Sequence, residues 1–259
     1  MIIFLFILSF IPNFIWLVFF LKEDPNPEPK KSLIIAFLLG ILAALVCFPI
    51  ELGLNYIFIN FLGFDIIENY LIYNGEASIF EIFTYSLIGI ALVEEIIKFL
   101  MAKLMLFKNP VFDEPVDAMI YLVVIALGFA FFENFLVVLG NYLNDVALLE
   151  TIGILVYRFI GANLLHVISS GIIGFYWAKG IILKNQKKSL TKGIIIAVIL
   201  HGLFNSILVI FNEFAYVFIL IMLFIASLIL LKNFEALKQF NVPATLINPS
   251  YYQKLKKQK

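Results

Sequence analysis

A single cysteine, Cys47, is all the sequence contains, so no intrachain disulfide can form and no thiolate metal site can be built. Charge is scarce too. Charged residues make up 14% of the 259 positions and hydrophobic ones 63%, against roughly 25% and 45–50% in a soluble domain. The 18 basic and 18 acidic residues cancel, which removes the cationic excess that nucleic-acid binding requires. There is no fixed-period repeat and no stretch that reads as a separate soluble domain. Disorder, a secreted disulfide scaffold and a zinc ribbon are excluded, and no nucleic acid is expected as a partner. What remains is an all-α protein, a polytopic transmembrane helix bundle in contact with the lipid bilayer of the cell membrane.

A helix needs about 20 mostly apolar residues to cross roughly 30 Å of hydrocarbon. Seven runs meet that demand: residues 2–21, 33–54, 79–107, 115–140, 152–178, 190–211 and 214–231. Residues 1–232 are expected to form one transmembrane domain, with residues 233–259 as a basic cytoplasmic tail. The semi-polar stretch 55–78 reads as an outer loop with a short interfacial helix, and Asn212 and Glu213 as a tight turn. Lysines test this division, because cytoplasmic loops collect them. Lys22, Lys30 and Lys31 fall in the first connection, Lys103 and Lys108 at the third, Lys179 to Lys192 at the fifth, and the rest at the C-terminal end, except Lys98 inside the third span. The second, fourth and sixth connections have none. The alternation predicts an outer N-terminus and an inner C-terminus.

Against that background a few polar residues stand out. An ionisable side chain at the centre of a span costs about 2.5–3.5 kcal/mol on the insertion scale. The third span carries Glu94, Glu95 and Lys98, the fourth carries Glu133 followed by Asn134, and the only two histidines, His166 and His201, lie in the fifth and sixth. Glu94 and Lys98 are four apart and share a helix face, as do His166 and Ser170, and His201 and Asn205. At 1.5 Å per residue, His201 lies roughly 17 Å from the inner start of its span, and Glu94 and His166 at similar depth. One cavity in the middle-to-outer half of the membrane is expected to hold them all, within a four-helix core spanning residues 79–211.

Carboxylates and imidazoles are the parts of a water-activating hydrolase: a buried glutamate takes a proton from water, and imidazole steadies the oxyanion or protonates the leaving amine. Glu95, Glu133, His166 and His201 are equally plausible ligands for zinc or a similar divalent metal. No HExxH helix is present to decide between these, and the glutamate route needs no cofactor. Asn205 is placed to fix His201 or to join an oxyanion hole, Lys98 to neutralise Glu94 or Glu95, and Asn134 to support Glu133.

The motifs have a family likeness. Glu94 to Lys98 reads EExxK, Gly128 to Asn134 contains GFA followed by Glu133 and Asn134, and His166 and His201 with Asn205 follow in order. This arrangement resembles the PrsW family of intramembrane proteases, within the group that includes CAAX-prenyl endopeptidases and bacteriocin-processing homologues. The resemblance runs from about Glu94 to Asn205, four of the seven helices. It implies a glutamate-dependent peptidase acting within the membrane on a membrane-anchored protein, such as an anti-sigma factor, on the extracytoplasmic side. By that likeness the catalytic set is Glu94, Glu95, Glu133, His166, His201 and Asn205. Ala118 after Asp117 departs from the glycine expected there, and Glu133 stands where the prenyl-processing branch has histidine.

Other readings stay open at this level. Buried Glu, His and Lys also form relays in proton- or ion-coupled transporters, and a non-catalytic immunity or scaffold protein would use the same fold. Ser170, Gly174 and Ala178 form a row of small residues suited to close helix packing. Arg158 is expected at the outer lipid headgroups, Asp113, Glu114 and Asp117 at the mouth of the fourth span, and Cys47 as a small apolar filler.

Overall fold

Within hydrocarbon a backbone must satisfy its own hydrogen bonds, so apolar runs of this length become helices. The computed structural model describes residues 2–64, 77–107, 109–211, 214–240 and 247, and among them every regular element is helical. Helix α1 is Ile2–Phe20 and ends in a 3-10 turn, Leu21–Glu23. It is followed by α2, Lys30–Leu62. A short α3, Ile79–Thr84, passes into a π-helical stretch, Tyr85–Ala91, and then into α4, Leu92–Leu106. Then come α5, Asp117–Leu143, α6, Leu148–Ile160, and α7, Ala162–Ile182. The last two are α8, Gln186–Phe211, and α9, Ala215–Lys238.

Among the described residues, six stretches are long and apolar enough to cross a membrane: Ile3–Glu23, Lys30–Leu62, Asp117–Leu143, Leu148–Ile182, Gln186–Phe211 and Ala215–Lys238. The expected third span is helical too, from Ile79 to Leu106, but carries the buried charges Glu94, Glu95 and Lys98 and changes winding on the way. Some boundaries move. Residues 55–62, expected in a loop, continue α2, and residues 233–238, expected in the tail, continue α9. The short interfacial helix, the turn at Asn212 and Glu213 and most of the basic tail lie outside the described residues.

Helix α5 is the hub. Its residues Asp117 to Phe131 are buried without interruption, and it packs against α1, α2 and α7. The contact with α2 is made by small residues: Ala36, Gly40, Ala43, Ala44 and Cys47 face inward at helical spacing, whereas Leu38, Leu42, Leu45, Phe48 and Leu52 are exposed and suit lipid. A Cβ on Gly40 would lie 2.0 Å from the Ile125 carbonyl oxygen, and one on Gly128 would lie 2.0 Å from that of Phe37. Two backbones therefore touch here, as small-residue faces in membranes allow. Gly174 does the same on the other side, where a Cβ would meet the Ala118 carbonyl oxygen at 2.6 Å. The small-residue row of the fifth span is thus a packing surface, and Cys47 a filler in another.

The fifth span is not one continuous helix. At Gly161 the backbone leaves helical geometry (φ −89°, ψ −93°), which separates α6 from α7. The 21 residues of α7 already extend about 31 Å at 1.5 Å per residue. Helix α6 is therefore spare length, and it folds along the bundle with Thr151 and Leu155 buried and Leu149, Val156 and Tyr157 exposed. The Trp16 indole holds its end by donating to the Phe159 carbonyl at 2.8 Å while stacking on the Phe159 ring.

At the lysine-rich end the first connection is clamped to α5. Asp24 accepts from the backbone N–H of Asn26 and Glu28 at 3.0 and 3.1 Å, and the Tyr121 hydroxyl donates to Glu28 at 2.5 Å. Asn26 reaches Glu114, and Asp117 accepts from the N–H groups of Asp113 and Glu114. Burial, with Asp24 and Asp113 nearby, pushes the Glu28 carboxyl from 4.5 up to about 7. The folded state holds this proton more tightly than the unfolded chain does, so the clamp is strongest at low pH and loosens as pH rises from about 4.5 to about 7. Thermal unfolding in detergent is expected to give a higher Tm at pH 6 than at pH 8. Glu28→Gln is expected to reduce that difference, and an unchanged slope in the variant would remove Glu28 as a source of it.

Candidate active site

Positions i, i+3 and i+4 of a helix share a face, and on α4 these positions bring Glu94, Glu95 and Lys98 to bear on α5, α7 and α8. Lys98 is completely buried. Its Nζ lies 2.6 Å from Glu95 Oε1, 3.7 Å from Glu94 Oε2 and 3.1 Å from His166 Nδ1, with the Phe129 ring centroid 4.7 Å away. An ammonium has only protons to give, so His166 Nδ1 accepts. The other ring nitrogen, Nε2, then carries hydrogen and donates to Glu133 Oε2 at 2.9 Å.

The two adjacent glutamates have different surroundings. Glu95 is fully engaged: Oε1 accepts from Lys98 and from His201 Nδ1 at 2.9 Å, and Oε2 accepts from the Ser170 hydroxyl at 3.3 Å. With Nδ1 protonated towards Glu95, His201 Nε2 is left facing Glu94 Oε2 at 3.9 Å. Glu94 Oε2 is buried and has no hydrogen-bond partner among the described residues. The His166 and His201 rings meet edge to face, with centroids 5.1 Å apart.

Glu133 approaches from the opposite side of His166. Its carboxylate is 30% exposed and pairs with Arg158 Nη2 at 3.0 Å. Arg158 Nε donates to Asn134 Oδ1 at 2.5 Å, and Asn134 donates onward to Asn163 at 3.2 Å. A cavity of about 610 Å³ opens beside these groups, lined by Glu94, Glu133, Arg158, His166, His201 and Asn205, with apolar walls from α6, α8 and α9. The Asn205 side chain faces it without a hydrogen bond to the described residues.

All six residues expected to carry chemistry thus converge, with Lys98 and Asn134 beside them. Three roles differ from expectation. Arg158, the chain's only arginine, lines the cavity from α6, and its guanidinium holds Glu133 and Asn134. Ser170 serves packing and also holds Glu95. Glu51 lines the cavity, although it passed unnoticed within the apolar run 33–54; a carboxylate inside a span was the signal available.

For a divalent ion, the ligand-type atoms of Glu94, Glu95, His166 and His201 lie within 4.8 Å of one another. Glu94 Oε2 is 3.7 Å from His166 Nδ1 and 3.9 Å from His201 Nε2, close to the edge of a tetrahedron with bonds of about 2.0–2.2 Å. One carboxylate and two imidazoles form a common zinc set, and the unpartnered Glu94 oxygen faces it, so the residues fit. Glu94 takes the place expected for Glu133, whose carboxylate meets the far nitrogen of His166. To hold an ion here, Lys98 must release His166 Nδ1.

Residues 28–231 match the family described as PrsW family intramembrane metalloprotease. The chain belongs to the PrsW family. Among its relatives are Protease PrsW of Clostridioides difficile, 29% identical over 86% of each chain, and that of Geobacillus kaustophilus, 26% identical over 79% of each. Protease PrsW of Bacillus subtilis is 25% identical over 80% of this chain and 83% of its own. No solved structure matches. As a PrsW family member with six membrane-length helices, the protein is a multi-pass intramembrane protease of the cell membrane. The transporter reading and the scaffold reading are not favoured. Arg158→Ala is expected to lower cleavage at least tenfold by freeing Glu133 and Asn134. Arg158→Lys should restore only part of it, because a point charge cannot bridge both groups as the guanidinium fork does. Wild-type rates in Arg158→Ala, measured on a single-pass substrate in liposomes, would contradict that role.

Proposed function

We propose that the site cuts a peptide bond of a membrane-anchored protein through water activated by Glu94. The observation that carries this is the Glu94 Oε2 atom: buried, without a donor, open to the cavity, and flanked by two imidazoles at 3.7 and 3.9 Å. In this mechanism Glu94 takes a proton from a water whose oxygen bonds to the scissile carbonyl carbon. The amide N–H of Asn205 donates to the oxygen as it becomes negative, the interaction on which such reactions depend most. Glu94 then passes its proton to the leaving nitrogen as the C–N bond breaks.

Glu95 acts one step back, holding Lys98 and the Nδ1–H of His201 so that the Nε2 edge faces the cavity. Glu133, fixed by Arg158, accepts from the Nε2–H of His166, which turns Nδ1 towards Lys98 and Glu94. A divalent ion, if bound, would be held by Glu94, His166 and His201 and would polarise the carbonyl and acidify water. The lysine alternation supports seven spans with the N-terminus outside, and in that orientation the cavity would lie in the middle-to-outer half of the membrane. Anti-sigma factors are the substrate class that the resemblance implies.

In proteoliposomes containing a single-pass substrate, Glu94→Gln is expected to lower the cleavage rate about 10²- to 10⁴-fold while Tm holds or rises, since it removes an incompletely paired buried charge. Glu95→Gln should lose activity and Tm together, because it strips Lys98 and His201 of their shared partner. Full turnover by Glu94→Gln would end the proposal. Added zinc is expected to raise the Tm of the wild type but not of His201→Ala; no shift in the wild type would show that these donors hold no ion.

A further inference from the structure

The carboxylates around the cavity are not all accounted for. Glu95 is matched by Lys98 and Glu133 by Arg158, at 2.6 and 3.0 Å. Glu94 shares Lys98 at 3.7 Å. Glu51, from α2, lines the same cavity and has no ion-pair partner among the described residues. Its Oε1 atom is buried and accepts no hydrogen bond. One turn further along the same face, Asn55 Oδ1 is also buried and also without a donor.

An acceptor without a donor on a wall with more carboxylates than cations, with a second such acceptor one helical turn away on α2, calls for a group that brings several protons and a positive charge. Glu51 does not belong to the cluster of metal-ligand atoms formed by Glu94, Glu95, His166 and His201, which argues against a shared ion. Its height in the bundle points to a side chain instead. Glu51 lies 21 residues beyond Lys30, the first residue of α2, hence about 31 Å along the helix at 1.5 Å per residue. That is the far boundary of the hydrocarbon, where the long side chains of lysine and arginine flanking a membrane helix reach the interface.

We infer that Glu51, with Asn55, selects the substrate by receiving a lysine or arginine side chain from the flank of the transmembrane segment that is cut. The inference rests on the proteolytic reading above and adds a recognition element to it. Glu51 touches the substrate away from the scissile bond, so its effect belongs in KM rather than in kcat.

The test uses the full chain in proteoliposomes and two single-pass reporter peptides that differ only by a lysine or a glutamine at the extracytoplasmic flank. The wild type is expected to show a KM about tenfold lower for the lysine reporter, the scale of a charge-assisted hydrogen bond. Glu51→Gln should erase that preference, and Glu51→Lys should shift it towards a reporter carrying glutamate. A tenfold preference that persists in Glu51→Gln overturns the inference, as does an equal fall in kcat for both reporters. Binding of the same labelled reporters to Glu94→Gln separates the two readings. Preferential binding of the lysine reporter without cleavage by the wild type would leave Glu51 as a selector and end the proteolytic reading. Cleavage with equal binding, or no binding of either reporter, would end the role of Glu51.

Discussion

The buried ammonium of Lys98 is the contact on which the rest of the site depends. It is fully enclosed, and it touches Glu95 and Glu94 on its own helix, His166 on α7 and the Phe129 face on α5. Through Glu95 it also reaches Ser170 on α7 and His201 on α8. A charge taken out of water is tolerated only when its partners are present and well placed. Four helices therefore have one arrangement in which Lys98 is satisfied, and that arrangement sets the tautomers of both histidines.

A second set of contacts holds the outer half of the site, and it depends on a break in a helix. Residues 148–182 are interrupted at Gly161, and Arg158 stands on the α6 side of that break. Gly161 turns α6 aside, and Trp16 of α1 holds the Phe159 carbonyl next to that turn. The guanidinium then bridges Glu133 and Asn134, neighbours on α5. Glu133 in turn receives the proton-bearing nitrogen of His166. Positioning thus reaches His166 from two directions, from Lys98 on Nδ1 and from Glu133 on Nε2.

Much of this was legible in the chain, and for a physical reason. The membrane penalises polar groups, so the few that persist at mid-span mark the site, and EExxK, Glu133, His166, His201 and Asn205 were each found by that test. The all-helical membrane bundle followed from hydropathy, though not its number of helices, and the small-residue faces followed from their period. Arg158 was not legible, because its partner is decided by the direction of the chain after Gly161, and one glycine in an apolar run does not announce a turn. Glu51 obeyed the same rule as the others, but it stands near the end of its run, where an isolated carboxylate reads as a boundary. The unequal fates of Glu94 and Glu95 were also hidden, since adjacent residues on a helix differ in direction by about 100° and only the packed neighbours show which one meets the cavity.

That difference in direction explains why two glutamates stand side by side. A single carboxylate would have to neutralise Lys98 and also accept a proton from water. A carboxylate held by an ammonium, an imidazole and a hydroxyl, as Glu95 is, has little capacity left for a proton. A carboxylate with no neighbouring cation would be hard to keep ionised at this depth. Dividing the tasks between neighbours resolves the conflict: Glu95 anchors the ammonium at 2.6 Å, and Glu94 feels the same charge from 3.7 Å while its oxygen stays free of hydrogen bonds. The hydrogen bonds of Lys98 go to Glu95 and His166, so the Glu94 oxygen at 3.7 Å from it stays open to the cavity.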